Sequence, residues 1–118
     1  MNKVKFSKYI LNKNSSIQDA LNKFRTNRCR AALIAEKNKV IGSISEGDII
    51  RALIIGISLH APITKYMNTN FKFLKEKKKL EINKLILKYN ISLIPICDKK
   101  LFLKDIVVVN QYLKKNLN

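Results

Sequence analysis

Residues 40–53, Val-Ile-Gly-Ser-Ile-Ser-Glu-Gly-Asp-Ile-Ile-Arg-Ala-Leu, decide the fold of this 118-residue chain. The stretch begins as an apolar strand, turns at Ser45-Glu46-Gly47 and continues as a helix in which Ile49, Ile50 and Leu53 recur at helical spacing. A strand that runs into a helix through small residues presents free backbone N–H groups and the positive end of the helix dipole at one point. Phosphate groups bind at such points, so this turn is the first candidate for a binding site.

Two polar side chains, those of Ser45 and Asp48, reach the mouth of this turn because they are three residues apart. The hydroxyl can bond to a phosphate or a ribose, and an ionised carboxylate offers acceptor oxygens to a pair of ribose hydroxyls. The same spacing fits a capping box, in which the serine accepts a hydrogen bond from a backbone N–H and the acid bonds back to the serine N–H. The residues alone leave both interpretations open.

The run Gly42-Ser43-Ile44-Ser45-Glu46-Gly47-Asp48-Ile49 resembles the signature Gly-h-h-(Ser/Thr)-x-x-Asp-h of the CBS (cystathionine-β-synthase) domain, where h is apolar. The longer run through Arg51-Ala52-Leu53, Gly56-Ile57-Ser58-Leu59, Pro62-Ile63 and Met67-Asn68 is similar to the CBS pair at the N-terminus of sugar-phosphate nucleotidyltransferases. The resemblance implies a tandem pair, or Bateman module, that binds AMP, ADP or ATP and regulates an attached or partner enzyme. It also implies a homodimer. The catalytic domain would lie outside this chain, which is not expected to be an enzyme.

The same order of elements is predicted twice along the chain. A helical stripe at Ile17, Ala20, Leu21 and Phe24 is followed by strands over 30–35 and 40–44, joined by a hairpin at 36–39. An opening strand at 71–74, a helix over 80–89 and a strand over 92–98 repeat this order, the last at an offset of 62 residues. We therefore predict an α/β (α+β) fold of two β-α-β-β-α repeats, residues 1–60 and 61–118. Each is too short to bury enough surface alone, so the two pack as one pseudo-symmetric module.

The second repeat lacks the polar residues of the motif. One extra residue in its hairpin changes the offset to 63, which maps Ser45 to Val108 and Asp48 to Gln111, whereas an offset of 62 gives Val107 and Asn110. With either offset the hydroxyl and the carboxylate are lost, and an amide is a poorer partner for two ribose hydroxyls. The sequence predicts one competent ribose-binding motif per chain, with the other cleft vacant or structurally filled.

Further nucleotide contacts are assigned by the resemblance. In the family the segment before the first helix approaches the nucleotide, which adds Ser15 or Ser16, although the residues by themselves favour a helix cap. Small and apolar strand residues are candidates for the adenine walls, and they would serve equally as core. The full set of candidates is Ser45, Gly47, Asp48, Ser15, Ser16, Ala31, Ala32, Ile10 and Leu11.

The formal charge of +16 permits a nucleic-acid or membrane-surface partner. Most of this charge is lysine spread along the whole chain, while arginine, the usual base-reading residue, occurs only at Arg25, Arg28, Arg30 and Arg51. This distribution favours a compositional bias that assists anionic ligands. A ligand-free dimerisation scaffold and a basic nucleic-acid binder remain the alternatives. The lysine run 72–79 is expected to be a solvated connection, or to lie near a phosphate tail if the fold brings it across the cleft.

No pattern indicates catalysis, a metal or a required cofactor. Cys29 and Cys97 lie in or beside apolar strand segments and are expected to be buried, reduced thiols, although a disulfide between them is compatible with the sequence. His60, the single histidine, has no acid adjacent in sequence, and no glycine-rich phosphate loop is present. Residues 1–11 lack an apolar signal core and no apolar run is long enough to cross a bilayer. We therefore expect a soluble, cytoplasmic protein.

Overall fold

The computed structural model describes residues 6–116, which contain four α-helices and five β-strands in two sheets. In chain order these are β1 Ile10–Leu11, α1 Ile17–Asn27, β2 Ala31–Glu36, β3 Lys39–Ser45, α2 Glu46–Ile54, α3 Lys79–Lys88, β4 Leu93–Cys97, β5 Leu103–Val108 and α4 Val109–Lys115. The predicted α/β class is confirmed. The outer ends of the two predicted repeats, residues 1–5 and 117–118, lie outside the described residues, as does part of the segment assessed for a signal sequence.

The first sheet has the order β1-β2-β3. Its short strand β1 runs parallel to β2, with Ile10 opposite Leu33, and β2 pairs antiparallel with β3. Lys37 and Asn38 form the two-residue hairpin turn with φ angles of 49° and 68°. Such positive angles match the right-handed twist of the strands and suit asparagine better than most residues. The predicted hairpin at 36–39 is confirmed.

The second sheet, β4-β5, repeats the register of the first hairpin. Leu93 of β4 lies opposite Val108 of β5, directly before α4. Ala31 lies opposite Ser45 in the same way, directly before α2. Both ladders also shift register at the corresponding place, between residues 34 and 35 and between residues 96 and 97. Val108 therefore occupies the position of Ser45, in agreement with the offset of 63.

The predicted opening strand at 71–74 is wrong, because within that segment only Leu74 forms a bridge, parallel to Ile96 of β4. The Leu74 N–H donates to Pro95 O at 3.1 Å, and its carbonyl accepts from Cys97 N at 2.8 Å. The preceding residues cross from one half of the chain to the other. They consequently run beside β4 only at their end.

Hydrogen bonds and a shared core join the two halves. At the hairpin tips the Val40 N–H donates to Leu101 O, and the Leu103 N–H donates to Asn38 O, both at 2.9 Å. Beneath the tips lies a central apolar cluster with members from both halves. Its buried members are Phe6, Tyr9, Cys29, Leu33, Val40, Leu93, Cys97, Leu103 and Ile106. Each half therefore contributes to a core that neither completes alone.

Separate clusters pack the helices onto the sheets. The predicted stripe of α1 is confirmed, since Ile17, Ala20 and Phe24 are buried against the first sheet. On α3 only Ile82 is fully buried, and it packs on the second sheet. Within residues 6–116, no helix is both long and apolar enough to cross a bilayer.

The segment that links the halves lies against β3 at Gly42. Ser43 and Asn68 exchange backbone hydrogen bonds of 3.0 and 2.7 Å, which hold residue 68 beside the strand. A Cβ atom at position 42 would lie 2.6 Å from Met67 Sδ and 3.3 Å from Asn68 O. An alanine Cβ would therefore displace the Met67 side chain and crowd the Asn68 carbonyl, and glycine suits this close approach best.

We predict that Gly42→Ala destabilises the fold, because overpacking a filled site costs about 1–3 kcal/mol. Urea unfolding should show the loss of stability. Gly47→Ala is the matched control, since a Cβ there meets nothing closer than Arg51 Nη1 at 3.4 Å and alanine favours a helix. Equal stability of the two variants would contradict the packing argument.

Both cysteines are free and buried, as expected. Burial disfavours the thiolate and raises the pKa of Cys29. Burial, together with the nearby charge of Asp98, raises the pKa of Cys97 to about 11. Because the thiolate is the nucleophile, both groups are held in their unreactive form at neutral pH.

We therefore predict that neither cysteine reacts with a thiol reagent at pH 8 in the folded protein, whereas both react in urea. Mass spectrometry after a timed alkylation measures this directly. Raising the pH to 9 should speed labelling of the unfolded protein and leave the folded protein unlabelled. Rapid labelling of Cys97 in the folded protein at pH 8 would show that the site is open to solvent.

Candidate functional site

A cavity of about 510 Å³ lies between the two halves of the chain. Its walls come from four places: β2, the junction of β3 and α2, the linking segment at 66–72, and residues 89–95 at the end of α3 and the start of β4. A volume of this size falls within the range of about 300–1,000 Å³ that is usual for small-molecule sites. We call this cavity the cleft.

Ser45 and Asp48 both line the cleft, and they also form a capping box. Ser45 Oγ accepts from the Asp48 N–H at 3.2 Å. Asp48 Oδ2 accepts from the Ser45 N–H at 2.9 Å and from the Ser45 hydroxyl at 3.1 Å. The helix cap and the candidate binding motif are thus the same two side chains.

A second capping box, at the start of α1, has the same helix-capping role but lies outside the cleft. Ser16 Oγ accepts from the Asp19 N–H at 3.1 Å, and Asp19 Oδ2 accepts from the Ser16 N–H at 2.8 Å. Neither residue lines the cleft. Ser15 is buried, its carbonyl accepts from the Ile63 N–H, and its side chain faces a separate groove beside β1 and α1. The structure therefore places Ser15 and Ser16 away from Ser45 and Asp48.

The remaining sequence candidates are divided in the same way. Ala31 and Ala32 line the cleft, but Ala32 is fully buried in the core of the first half, whereas Ala31 is partly exposed and its small side chain leaves space over β2. Ile10 and Leu11 line the separate groove. Gly47 lies in the first turn of α2 and does not line the cleft, although it stands beside Arg51 and Ser45.

The linking segment forms the wall that sequence reasoning assigned to residues near 10–16. The hydrogen bonds between Ser43 and Asn68 bring this segment over the motif of the first half. Its cleft-lining residues are Tyr66, Met67, Asn68, Asn70, Phe71 and Lys72. They lie about twenty residues beyond the motif. Met67 and Asn68 belong to the stretch that carries the family resemblance, and Lys72 opens the lysine run, but no local pattern places these residues opposite the motif.

Arg51 also lines the cleft and pairs with Asp48. Its Nη2 lies 2.7 Å from Asp48 Oδ1, and the arginine side chain is 72% exposed while the aspartate side chain is 19% exposed. The helical spacing of three residues from Asp48 could have identified this partner from sequence. The pair gives the mouth of the cleft a guanidinium beside its carboxylate.

A second cationic group lines the cleft at Lys72, whose Nζ lies 4.9 Å from the ring centroid of Tyr89. Loss of solvation would raise the pKa of the Tyr89 phenol, but the charges of Lys72 and Lys88 outweigh it and lower that pKa. Other lysines of the run pair elsewhere, Lys77 with Asp105 and Lys78 with Glu76. Within the run 72–79, only Lys72 lines the cleft.

The residues that line the cleft suit the binding of a small anionic molecule. Asp48 is the one carboxylate among its described lining residues. Among residues 6–116, no group of three or more His, Cys, Asp and Glu side chains could hold a metal ion. His60 is exposed and lies outside the cleft lining. Apolar walls, a carboxylate and two cations suit a flat, partly apolar anion.

A smaller cavity of about 330 Å³ stands at the corresponding place of the second half. It is lined by Arg28 and Arg30 before β2, by Ile91 and Ser92 before β4, and by three residues of α4. Its described lining contains no carboxylate. The acceptor that a ribose needs is therefore missing there, in line with the loss of the motif in the second half.

Comparison with known proteins relates this geometry to a family. Residues 7–55 match the family model of the CBS domain. Curated protein sequences gave no match. Among solved structures, AcuB of Vibrio cholerae has a TM-score of 0.80 and 18% identity, over 93% of this chain and 83% of that chain.

Two archaeal structures also share the fold. The CBS domain protein PAE2072 of Pyrobaculum aerophilum, complexed with AMP, has a TM-score of 0.73 and 18% identity over 86% of this chain and 79% of its own. Protein MJ1225 of Methanocaldococcus jannaschii, described as a proposed archaeal homolog of γ-AMPK, has a TM-score of 0.75 and 19% identity. The match extends over 92% of this chain and 45% of that protein. Residues 7–55 therefore match the CBS domain model, and the chain shares the fold of solved CBS-domain proteins.

Proposed function

We propose that this chain is a regulatory CBS pair that binds an adenine nucleotide in the cleft and modulates an attached or partner enzyme. The observation that carries the proposal is the position of Ser45 and Asp48 in the wall of a cavity of ligand size. The AMP complex of a protein with the same fold supports the choice of ligand. In this proposal residues 1–60 and 61–118 are the two repeats, and the first holds the competent motif.

The cleft offers each part of a nucleotide a partner of suitable chemistry. Ala31, which is partly exposed, leaves space for a flat base against β2, a position where apolar walls and backbone groups suffice. The Asp48 carboxylate is an acceptor for ribose hydroxyls. Arg51 and Lys72 carry the positive charge that a phosphate requires.

The identity of the regulated enzyme is proposed from sequence resemblance alone. The stretch from Arg51 to Asn68 is similar to CBS pairs attached to sugar-phosphate nucleotidyltransferases, so we propose an enzyme of that class. A cytoplasmic location likewise stays a prediction.

We predict that AMP, ADP or ATP raises the melting temperature of the wild type and not of Asp48→Asn. A ligand at about a hundred times its Kd adds roughly 2.7 kcal/mol, which corresponds to a shift on the order of ten degrees for a domain of this size. Thermal unfolding with each nucleotide at millimolar concentration, with guanine nucleotides for comparison, measures the shift.

Asp19→Asn is the matched control for this variant. It weakens the other capping box and should cost a similar amount of stability, about 0.5–2 kcal/mol, yet it should keep the nucleotide-dependent shift. An undiminished shift in folded Asp48→Asn would remove the site assignment. No shift with any nucleotide in the wild type would remove the nucleotide-binding function.

A ligand-independent dimerisation scaffold is the second candidate, and one observation favours it. The C-terminal end of α2 and the residue after it expose apolar side chains at Ile50, Leu53, Ile54 and Ile55, with Ile54 77% and Ile55 72% exposed. A contiguous apolar patch of this kind is typical of an interface. We propose that it forms the homodimer contact, which is also compatible with nucleotide binding.

We predict that Ile54→Glu shifts the protein from dimer to monomer, because a buried carboxylate in an apolar interface lacks a partner. Sedimentation velocity measures the mass of each form. Leu87→Glu, at a side chain 87% exposed on α3, is the matched control and should stay dimeric. A wild type that sediments as a monomer at high micromolar concentration would rule out the scaffold.

A further inference from the structure

Arg51 stands at the one point of the cleft where a nucleotide and the protein compete for the same atom. We propose that it acts as a phosphate-selecting latch: its guanidinium exchanges the Asp48 carboxylate for the phosphate of an incoming nucleotide. The cleft would then favour phosphorylated nucleotides over the bare nucleoside. This inference rests on the proposed nucleotide-binding function and adds a specificity-determining residue to it.

The two oxygens of Asp48 are not equivalent. Oδ2 accepts from both the N–H and the hydroxyl of Ser45, so it is committed to the cap of α2. Oδ1 accepts from Arg51 Nη2 at 2.7 Å. A carboxylate oxygen has about two acceptor sites, so Arg51 leaves one site open on Oδ1. A ribose whose two hydroxyls both donate to Oδ1 must therefore compete with Arg51 for the other site.

Arg51 is free to leave the carboxylate. Its side chain is 72% exposed, so water can solvate the guanidinium once it leaves the carboxylate, and an ion pair with one such exposed partner contributes little to stability. The guanidinium also lies against the first turn of α2, since a Cβ at Gly47 would be 3.4 Å from Nη1. A small rotation of the side chain keeps it beside that turn.

A phosphate compensates for the lost ion pair, whereas a nucleoside does not. Guanidinium groups bind phosphate through two parallel charge-assisted hydrogen bonds, a geometry that lysine cannot reproduce. Arg51 is the one arginine among the described residues that line the cleft, where the other cation is Lys72. Adenosine would displace Arg51 from Oδ1 and offer its guanidinium only water.

Binding of AMP and of adenosine to Arg51→Gln tests the latch. We expect AMP to bind roughly tenfold more weakly or worse, as for the loss of a charge-assisted hydrogen bond. Adenosine should bind Arg51→Gln at least as tightly as it binds the wild type, because no guanidinium then covers Asp48 Oδ1. Isothermal titration calorimetry gives both dissociation constants. Arg51→Lys should fall between the two, since it keeps the charge and loses the planar geometry.

Arg25→Gln is the matched control for net charge, because Arg25 is exposed on α1 and does not line the cleft. It should leave both affinities near their wild-type values. If Arg51→Gln weakens AMP and adenosine equally, Arg51 only orders Asp48 and the latch is overturned. Unchanged AMP affinity in Arg51→Gln also overturns it, while the proposed function stands if Asp48→Asn still abolishes binding. A wild type that binds neither compound removes the function and the latch together.

Discussion

The cleft depends on the pair of hydrogen bonds between Ser43 and Asn68. These bonds hold the linking segment over β3, so residues from the second half of the chain become a wall for the motif of the first. Gly42 assists the approach, because a Cβ there would lie 2.6 Å from Met67 Sδ and 3.3 Å from the Asn68 carbonyl oxygen. The glycine of the motif thus leaves room for the segment that closes the cavity.

The motif side chains serve the fold and the site at once. Ser45 and Asp48 satisfy backbone groups at the start of α2, and this cap holds the carboxylate in a defined orientation at the cavity wall. The equivalent junction in the second half has Val108 in place of the serine and no side-chain cap. A helix can begin there without the cap because Val109 and neighbouring apolar residues pack on the second sheet. Loss of the polar pair thus removes a ribose partner without preventing the fold.

The net positive charge of the chain affects its affinity for anions more than it affects the fold. The excess of lysine is spread over exposed positions, and most of it has no role in the core. Two cationic side chains line the cleft, Arg51 from the first half and Lys72 from the second. The described lining residues include a single carboxylate, that of Asp48. The net positive charge attracts anions toward the protein, and these two residues place positive charge at the cleft itself.

Local patterns in the sequence were sufficient for the elements and for the motif. The apolar stripe of α1, the hairpin at 36–39 and the strand-to-helix turn at Ser45 depend on residues close together in the chain, where periodicity and turn chemistry are strong. The opening strand at 71–74 was wrong, because its partner and its path are set by the other half. The cleft wall at 66–72 could not be predicted for the same reason, because contacts with the first half set its position.

By itself the sequence determined two matching halves, one intact polar motif, and the pairing of that motif with a helix cap. Only the tertiary structure decided which segment faces the motif. It placed Ser15 in a different groove, left Ser16 outside the cleft lining, and brought Lys72 and Tyr89 to the cleft instead. The reason is physical: a cap or a turn is stabilised by neighbours in sequence, whereas the far wall of a cavity is positioned by backbone contacts between residues 25 positions apart, such as Ser43 and Asn68.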